Sequence, residues 1–220
     1  MSDVKKAYRL LKRALASRKA VQRVRRRLAE REPHQPEHYQ VAVYFADGDV
    51  NMYQMRQWYR PLAELSKRWP VVVLSRSATG ADKLLDEDGP PVAFVPTIRD
   101  LERFISSQDI RVVLYVNQNT RNFQMFRYGR RWHVFINHGE SDKMYMTTNQ
   151  YKAYDYALVA GQAARDRLSR TLWDWDIDRR TIEIGRPQAD HYSGTLPYVP
   201  DERTVVLYAP TWEGDRPSAH

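Results

Sequence analysis

Eight short apolar runs, most of them rich in Val and Ile, constrain this chain more than any other feature. They are Val41–Ala46, Val71–Ser75, Val92–Val95, Val112–Asn117, His133–Asn137, Tyr156–Ala160, Thr181–Ile184 and Val205–Tyr208. Several are apolar at consecutive positions, the mark of strands covered on both faces. Between them lie stretches of helical character: Met52–Arg68, Ala81–Asp86, Ile98–Ser107, Thr148–Tyr154 and Gly161–Leu172. Alternation of strand and helix predicts an α/β fold, a doubly wound, mostly parallel Rossmann-like sheet. With 220 residues the chain can bury one good-sized core and still carry an appendage.

The appendage is at the N-terminus. Residues 1–31 hold twelve Lys and Arg against two acids, Asp3 and Glu30, whereas the rest of the chain holds 23 basic and 25 acidic residues. The formal charge of +8 therefore belongs to this arm and says nothing about ligands of the body. From Val4 to Leu28 there is no Gly or Pro, and Val4, Tyr8, Leu11, Leu15, Val21, Val24 and Leu28 recur at helical spacing. The result is a basic amphipathic helix. Such a helix suits an anionic membrane surface, with Lys and Arg stems reaching the headgroups. Packing of the stripe on the body or on a partner helix, and neutralisation of nucleic-acid phosphates, are the other readings; no interleaved aromatic platform supports the last. Pro33 and Pro36 then make residues 32–38 a stiff linker, and the body spans residues 39–203. The chain has no cysteine, no signal-peptide pattern and no apolar run long enough for a bilayer, which suits a cytoplasmic protein held peripherally on the membrane.

In parallel sheets ligands bind beyond the carboxyl ends of strands. That rule selects Asp47-Gly48-Asp49-Val50-Asn51, Asn117-Gln118-Asn119-Thr120, His138-Gly139-Glu140 and Gly185-Arg186-Pro187, all of which are also ordinary turn chemistry. The glycine signature of nicotinamide-cofactor sites, the phosphate-binding loop of nucleotide hydrolases and the H-E-x-x-H zinc motif are absent. Histidines and acids show no compact metal-ligand spacing, so neither a cofactor nor a metal is expected.

Three segments together resemble the CDP-glycerol glycerophosphotransferase family, which includes the teichoic acid polymerases. Phe135-Ile136-Asn137-His138-Gly139, with Lys143 beyond it, is similar to a family strand that ends in His-Gly-Thr-Pro-Leu-Lys. Tyr154-Asp155-Tyr156, followed later by Gly185-Arg186-Pro187-Gln188-Ala189-Asp190, resembles the family's Asp-Tyr strand and its Gly-Tyr-Pro-Arg-Asn-Asp loop. Val205 to Trp212, through Ala209-Pro210-Thr211, looks like the strand that opens the family's second domain. Weaker similarity reaches back to the Gly48–Asn51 loop. The resemblance covers residues 41–215 and leaves the arm outside.

The resemblance implies a two-domain glycosyltransferase-like architecture of the B type, without a catalytic metal. This chain would supply the acceptor side, and residues 204–220 the truncated start of the domain that binds CDP-glycerol, so the chain alone is expected to be inactive. The partners implied are a membrane-linked polyol or glycan acceptor and the missing donor domain, in cell-wall or capsule polymer synthesis. A polyol hydroxyl needs a base to become a nucleophile near neutral pH, and histidine suits that pH best. His138 matches the family's catalytic histidine, and Asp190 matches an acid that would orient it or bind hydroxyls. Gly48, Asn51, Gly139, Lys143, Gly185, Pro187 and Thr211 are carried over as substrate-binding positions. His133 reads as a packing residue, and His191 has no assigned role. Glu140-Ser141-Asp142 replace the usual Thr-Pro-Leu, and Gln188-Ala189 replace Arg-Asn. The added carboxylates and the lost guanidinium point away from polyglycerol phosphate, towards a sugar or a less charged polyol. Two rival readings share the pattern: half of a nucleotide-sugar transferase or epimerase of the same fold, and a non-catalytic module that docks on membranes.

Overall fold

A computed structural model describes residues 2–31, 38–140, 147–191, 204–206 and 208. Side chains at 2–6, 9–10 and 13–14 are not described, and Lys143 and Thr211 lie outside the described residues. A long helix α1 (Ser2–Ala29) precedes β1 (Val41–Phe45), α2 (Met52–Arg56), α3 (Tyr59–Ser66), β2 (Val71–Ser75), α4 (Ala78–Leu84) and β3 (Val92–Phe94). Then come α5 (Ile98–Ser107), β4 (Val112–Tyr115), β5 (Trp132–Phe135), β6 (Tyr156–Val159), α6 (Gln162–Thr171), α7 (Ile177–Arg180) and β7 (Thr181–Glu183). The strands form one seven-stranded sheet in the order β3-β2-β1-β4-β5-β6-β7. Every pairing is parallel, so the architecture is Rossmann-like.

Why the strands are continuously apolar is visible in the core. Ala42 and Tyr44 of β1, with Val113 and Tyr115 of β4, pack on one face against Leu101 and Ile105 of α5 and Leu168 of α6. The intervening Val41, Val43, Phe45, Leu114 and Val116 pack on the other face against Met52, Met55, Trp58 and Leu62. Side chains alternate across a strand, and here both sides are covered.

Expected and observed elements differ in places. Met52–Arg68 is two helices, because Pro61 lacks the N–H that a continuous helix would donate to residue 57. Placed in the first turn of α3, Pro61 costs no such bond, and the break turns Trp58 towards the sheet. Of the eighth run, residues 205, 206 and 208 are described; they carry no regular structure, and Val206 and Tyr208 are 83% and 87% exposed. The Thr148–Tyr154 stretch is a single tight turn of 3-10 helix, Asn149–Ala153.

The basic arm divides into two parts. Its second half docks on the body: Val24 is fully buried with Ala81 and Leu85, and Leu28 packs beside them. Arg23 and Arg27 both pair with Asp82, Arg27 also reaches Asp86, and Arg31 donates to the Leu85 carbonyl. Burial raises the Asp82 pKa, but hydrogen bonds from Arg27 and Arg23 outweigh that and hold it below the ordinary carboxylate value. The described side chains from Ala7 to Lys19 are all exposed, including Tyr8, Leu11 and Leu15. Among the described residues no helix is long and apolar enough to cross a membrane.

Val24→Asp places an unpaired carboxylate in the apolar contact, at a cost of several kcal/mol to docking. Tryptic cleavage at Arg27 and Arg31 should become much faster in this variant, and stay unchanged in Leu11→Asp.

Candidate active site

The carboxyl ends of β1, β4 and β5 open into a cleft of ≈ 410 Å³. It lies where the strand order reverses, since β1 has β2 on one side and β4 on the other. Crossovers leaving in opposite directions part there and leave room for a ligand. Asp47, Asn51, Tyr53 and Gln54 line it from the β1 side, Asn117 to Thr120 from β4, and Phe135, Asn137 and His138 from β5.

A hydrogen-bonded network fixes these side chains. The Asn117 amide nitrogen donates to Asp47 Oδ2 at 2.7 Å and to Gln54 Oε1 at 2.5 Å. Asn51 donates to Asp47 Oδ1 at 2.9 Å, so both carboxylate oxygens are occupied. Asn122, which is buried, donates to the Asn117 carbonyl at 2.7 Å and to the Tyr154 hydroxyl at 2.9 Å. The first turn of α4 presses on this loop: a Cβ on Gly80 would stand 2.4 Å from the Asp47 carbonyl oxygen, so only glycine fits. Gln118 Oε1 accepts from Thr148 at 2.7 Å, and its buried Nε2 has no partner among the described residues.

His138 is positioned by its predecessor. Asn137 adopts φ 54°, a left-handed conformation that Asn tolerates better than most residues. The Trp58 indole donates to the Asn137 carbonyl, and the Asn137 side chain accepts from the His138 amide at 2.8 Å. The His138 ring then meets Tyr53 edge-on at 5.7 Å. Its Nδ1 lies 2.9 Å from the Val116 carbonyl, which can only accept, so Nδ1 carries the proton. In the neutral ring Nε2 holds the lone pair. Burial lowers the His138 pKa below its ordinary value of 6.5, against the opposing pull of the Val116 carbonyl. A neutral imidazole with a fixed tautomer and a free nitrogen can take a proton from a bound hydroxyl.

Of the positions carried over from the resemblance, Asn51 and His138 share the cleft. Gly139 and Gly185 line a narrow crevice beside it, with Gly185 at φ +65°. Gly48 precedes the 3-10 turn Asp49–Asn51 without lining the cleft, and Pro187 begins a turn that includes Asp190 and His191. Asp190 is exposed and makes no hydrogen bond to His138. The Glu140 carboxylate does not face the cleft as an uncompensated charge. One oxygen accepts from the Ala160 amide at 2.7 Å and the other pairs with Arg167 at 3.2 Å. His133 is a packing residue: Nε2 donates to the Tyr128 carbonyl, Nδ1 accepts from Tyr115, and burial lowers its pKa.

Gln54, Asn117, Gln118 and Asn137 are further candidate site residues that sequence reasoning did not single out. The strand-end rule reaches the loop at 117–120 but does not choose among its residues, and Gln54 lies on a helix beyond the rule's reach. Among the described residues no cluster of three His, Asp or Glu could hold a metal ion. No protein-family model and no curated protein matches the chain.

Because both depressed histidines bind fewer protons folded than unfolded, stability rises with pH where the unfolded chain still holds them. Their contribution is complete above the ordinary value of 6.5 and is lost as pH falls below it towards the folded pKa values. An NMR titration should place the His138 midpoint below 6.5, with the Nδ1–H tautomer dominant at neutral pH.

Proposed function

We propose that this chain supplies the acceptor side of a phosphopolyol transferase, with CDP-glycerol or a related CDP-polyol as donor and a membrane-linked polyol or sugar as acceptor. The observation that carries the reading is the neutral His138, its Nδ1–H held by Val116, opening into an amide-lined cleft at the switch point. Among the described residues no Lys or Arg lines that cleft. Its amides, and a carboxylate already engaged by two amide donors, suit a hydroxyl-bearing group.

In the proposed reaction Nε2 of His138 accepts the proton of the acceptor hydroxyl. The oxygen forms a bond to the β-phosphorus of the donor, the bond from that phosphorus to the bridging oxygen breaks, and the electron pair leaves with CMP. Asn51, Gln118 and Asn137 would hold the neighbouring hydroxyls. In a two-domain architecture of the B type, the donor would sit on a second domain facing this cleft. The amide-rich lining fits a sugar acceptor equally well, which keeps half of a nucleotide-sugar transferase as the second reading. The exposed half of α1, with Tyr8, Leu11 and Leu15 beside Lys12, Arg18 and Lys19, would rest on an anionic bilayer on its cytoplasmic side.

With the donor domain present, His138→Ala should lower CMP release from CDP-glycerol roughly 10²–10⁴-fold, the usual range for lost acid–base assistance. The wild-type profile should lose activity on the acid side, with a midpoint below 6.5. Undiminished release from a folded variant would remove the base assignment. In a separate measurement, Leu11→Asp with Leu15→Asp should weaken co-sedimentation with phosphatidylglycerol vesicles, while Arg27→Ala, on the docked half, should change it little.

A further inference from the structure

The crossovers cover the two faces of the sheet unequally. From β1 to β3 the strands advance one way, and Met52, Trp58, Leu62 and Leu84 of the intervening helices pack on one face. β4 starts on the far side of β1, and β4 to β7 advance the other way. Right-handed crossovers change face when the direction of advance reverses. Accordingly Leu101 of α5, Met125 before β5, Tyr151 before β6 and Leu168 of α6 all pack on the second face. No crossover between the described strands lies over β5, β6 and β7 on the face that α2 and α3 occupy.

The exposure of that face follows the gap. Val134 of β5 is still buried, Tyr156 and Leu158 of β6 are half-buried, and Ile182 of β7 is 48% exposed. Trp132, at the start of β5, is 55% exposed and tilts against Tyr156 at 5.5 Å. Leu158 stands opposite Ile182 in the β6–β7 register, so Trp132, Tyr156, Leu158 and Ile182 form one apolar surface. Its border at the carboxyl rim is basic. A narrow crevice brings Leu158 and Ile184 beside Arg186, which with Arg56 and Arg60 lines an adjoining groove of ≈ 760 Å³. Among the described residues no carboxylate lines that groove. Arg56 is held by Glu87, Arg60 spends one nitrogen on the His191 carbonyl at 3.2 Å, and Arg186 has no side-chain partner among the described residues.

We propose that the β5–β7 face docks an amphipathic helix that carries acidic residues on the flank meeting Arg60 and Arg186. A helix is the cover that α2 and α3 already give the neighbouring strands, and a helical apolar stripe matches an apolar sheet face. Charge complementarity sets the acidic flank. A second copy would bring either its own arginines or the Lys12, Arg18 and Lys19 side of its α1 against this border, and like charges oppose both contacts. A bilayer fits less well, because β7 is an edge strand and the outward amides of an edge strand are costly in hydrocarbon. Docking on this face does not depend on the reaction proposed for His138.

The test uses the whole chain and a synthetic peptide of about 18 residues, five helical turns, with Leu at i, i+3, i+4 and i+7 spacing and Glu on the flanks. A Lys-flanked counterpart and a scrambled Glu peptide are the controls. The Glu peptide should bind saturably in calorimetry and shift the Trp132 indole resonance, and the scrambled peptide should do neither. Trp132→Ser with Ile182→Ser should weaken binding about tenfold or more, the scale of losing an aromatic anchor. Both side chains are half exposed, and thermal unfolding checks that the variant folds. Arg60→Glu with Arg186→Glu should reverse the preference, so that the Lys peptide binds more tightly than the Glu peptide. Absence of saturable binding, equal binding of both peptides by the wild type, or binding untouched by either double variant would overturn the proposal. Wild-type dimers in sedimentation that Trp132→Ser with Ile182→Ser dissolves would overturn it in favour of a second copy. Loss of phosphatidylglycerol vesicle binding in that same variant would overturn it in favour of a lipid contact.

Discussion

A parallel sheet has two apolar faces and no tolerance for water on either, and most features of this protein follow from that requirement. Each strand must be apolar at consecutive positions, as in Val71–Ser75, where every residue is buried. Each return crossover must bring its own apolar cover, so that polar chemistry is confined to the loops at the strand ends. At the β1/β4 junction the crossovers separate, and the polar groups exposed there must find partners. Asn117 meets that need by holding Asp47 and Gln54 with a single amide. An unpaired group in that position would cost about 1–3 kcal/mol, so the network also sets the shape of the cleft.

The arm shows how little its charges explain by themselves. Exposed ion pairs contribute a median of about 0–1 kcal/mol each, whereas burying a Val side chain contributes about 1.5–3 kcal/mol. Val24, fully buried, is therefore the better account of why α1 stays on α4. The pairs of Arg23 and Arg27 with Asp82, and of Arg25 with Asp100 at 3.8 Å, fix the rotation and register of the helix. Asp100 is itself constrained, since it closes the capping box with Thr97 at the start of α5. The result is a rigid base for the exposed stretch up to Lys19, whose stripe has no cover from the body.

The strands were legible because double burial leaves a simple trace: seven runs form strands at the expected places, with ends displaced by one or two residues. The break at Trp58 was less legible, since Pro61 can begin a helix as readily as it ends one. Docking of the arm was hidden because arginines paired with Asp82 and Asp86 look, in sequence, like a solvated face. The eighth run has strand composition, yet its described residues carry no regular structure. The cleft was half legible. His138 and Asn51 sit at strand ends, but Gln54, Asn117 and Asn137 meet only through the tertiary fold, and no spacing connects them. Asp190 shows the converse: a match in order along the chain does not bring two side chains into one cleft.

The electrostatics of the cleft turn on the state of His138. A carboxylate close to His138 would raise its pKa and lower the fraction of neutral, proton-accepting ring; Asp47, the one carboxylate among the described lining residues, accepts from Asn51 and Asn117. Burial is the dominant influence on His138, opposed only by the hydrogen bond to Val116. A phosphate bound directly beside the ring would act as that carboxylate would, raising the pKa and favouring the inert, protonated form.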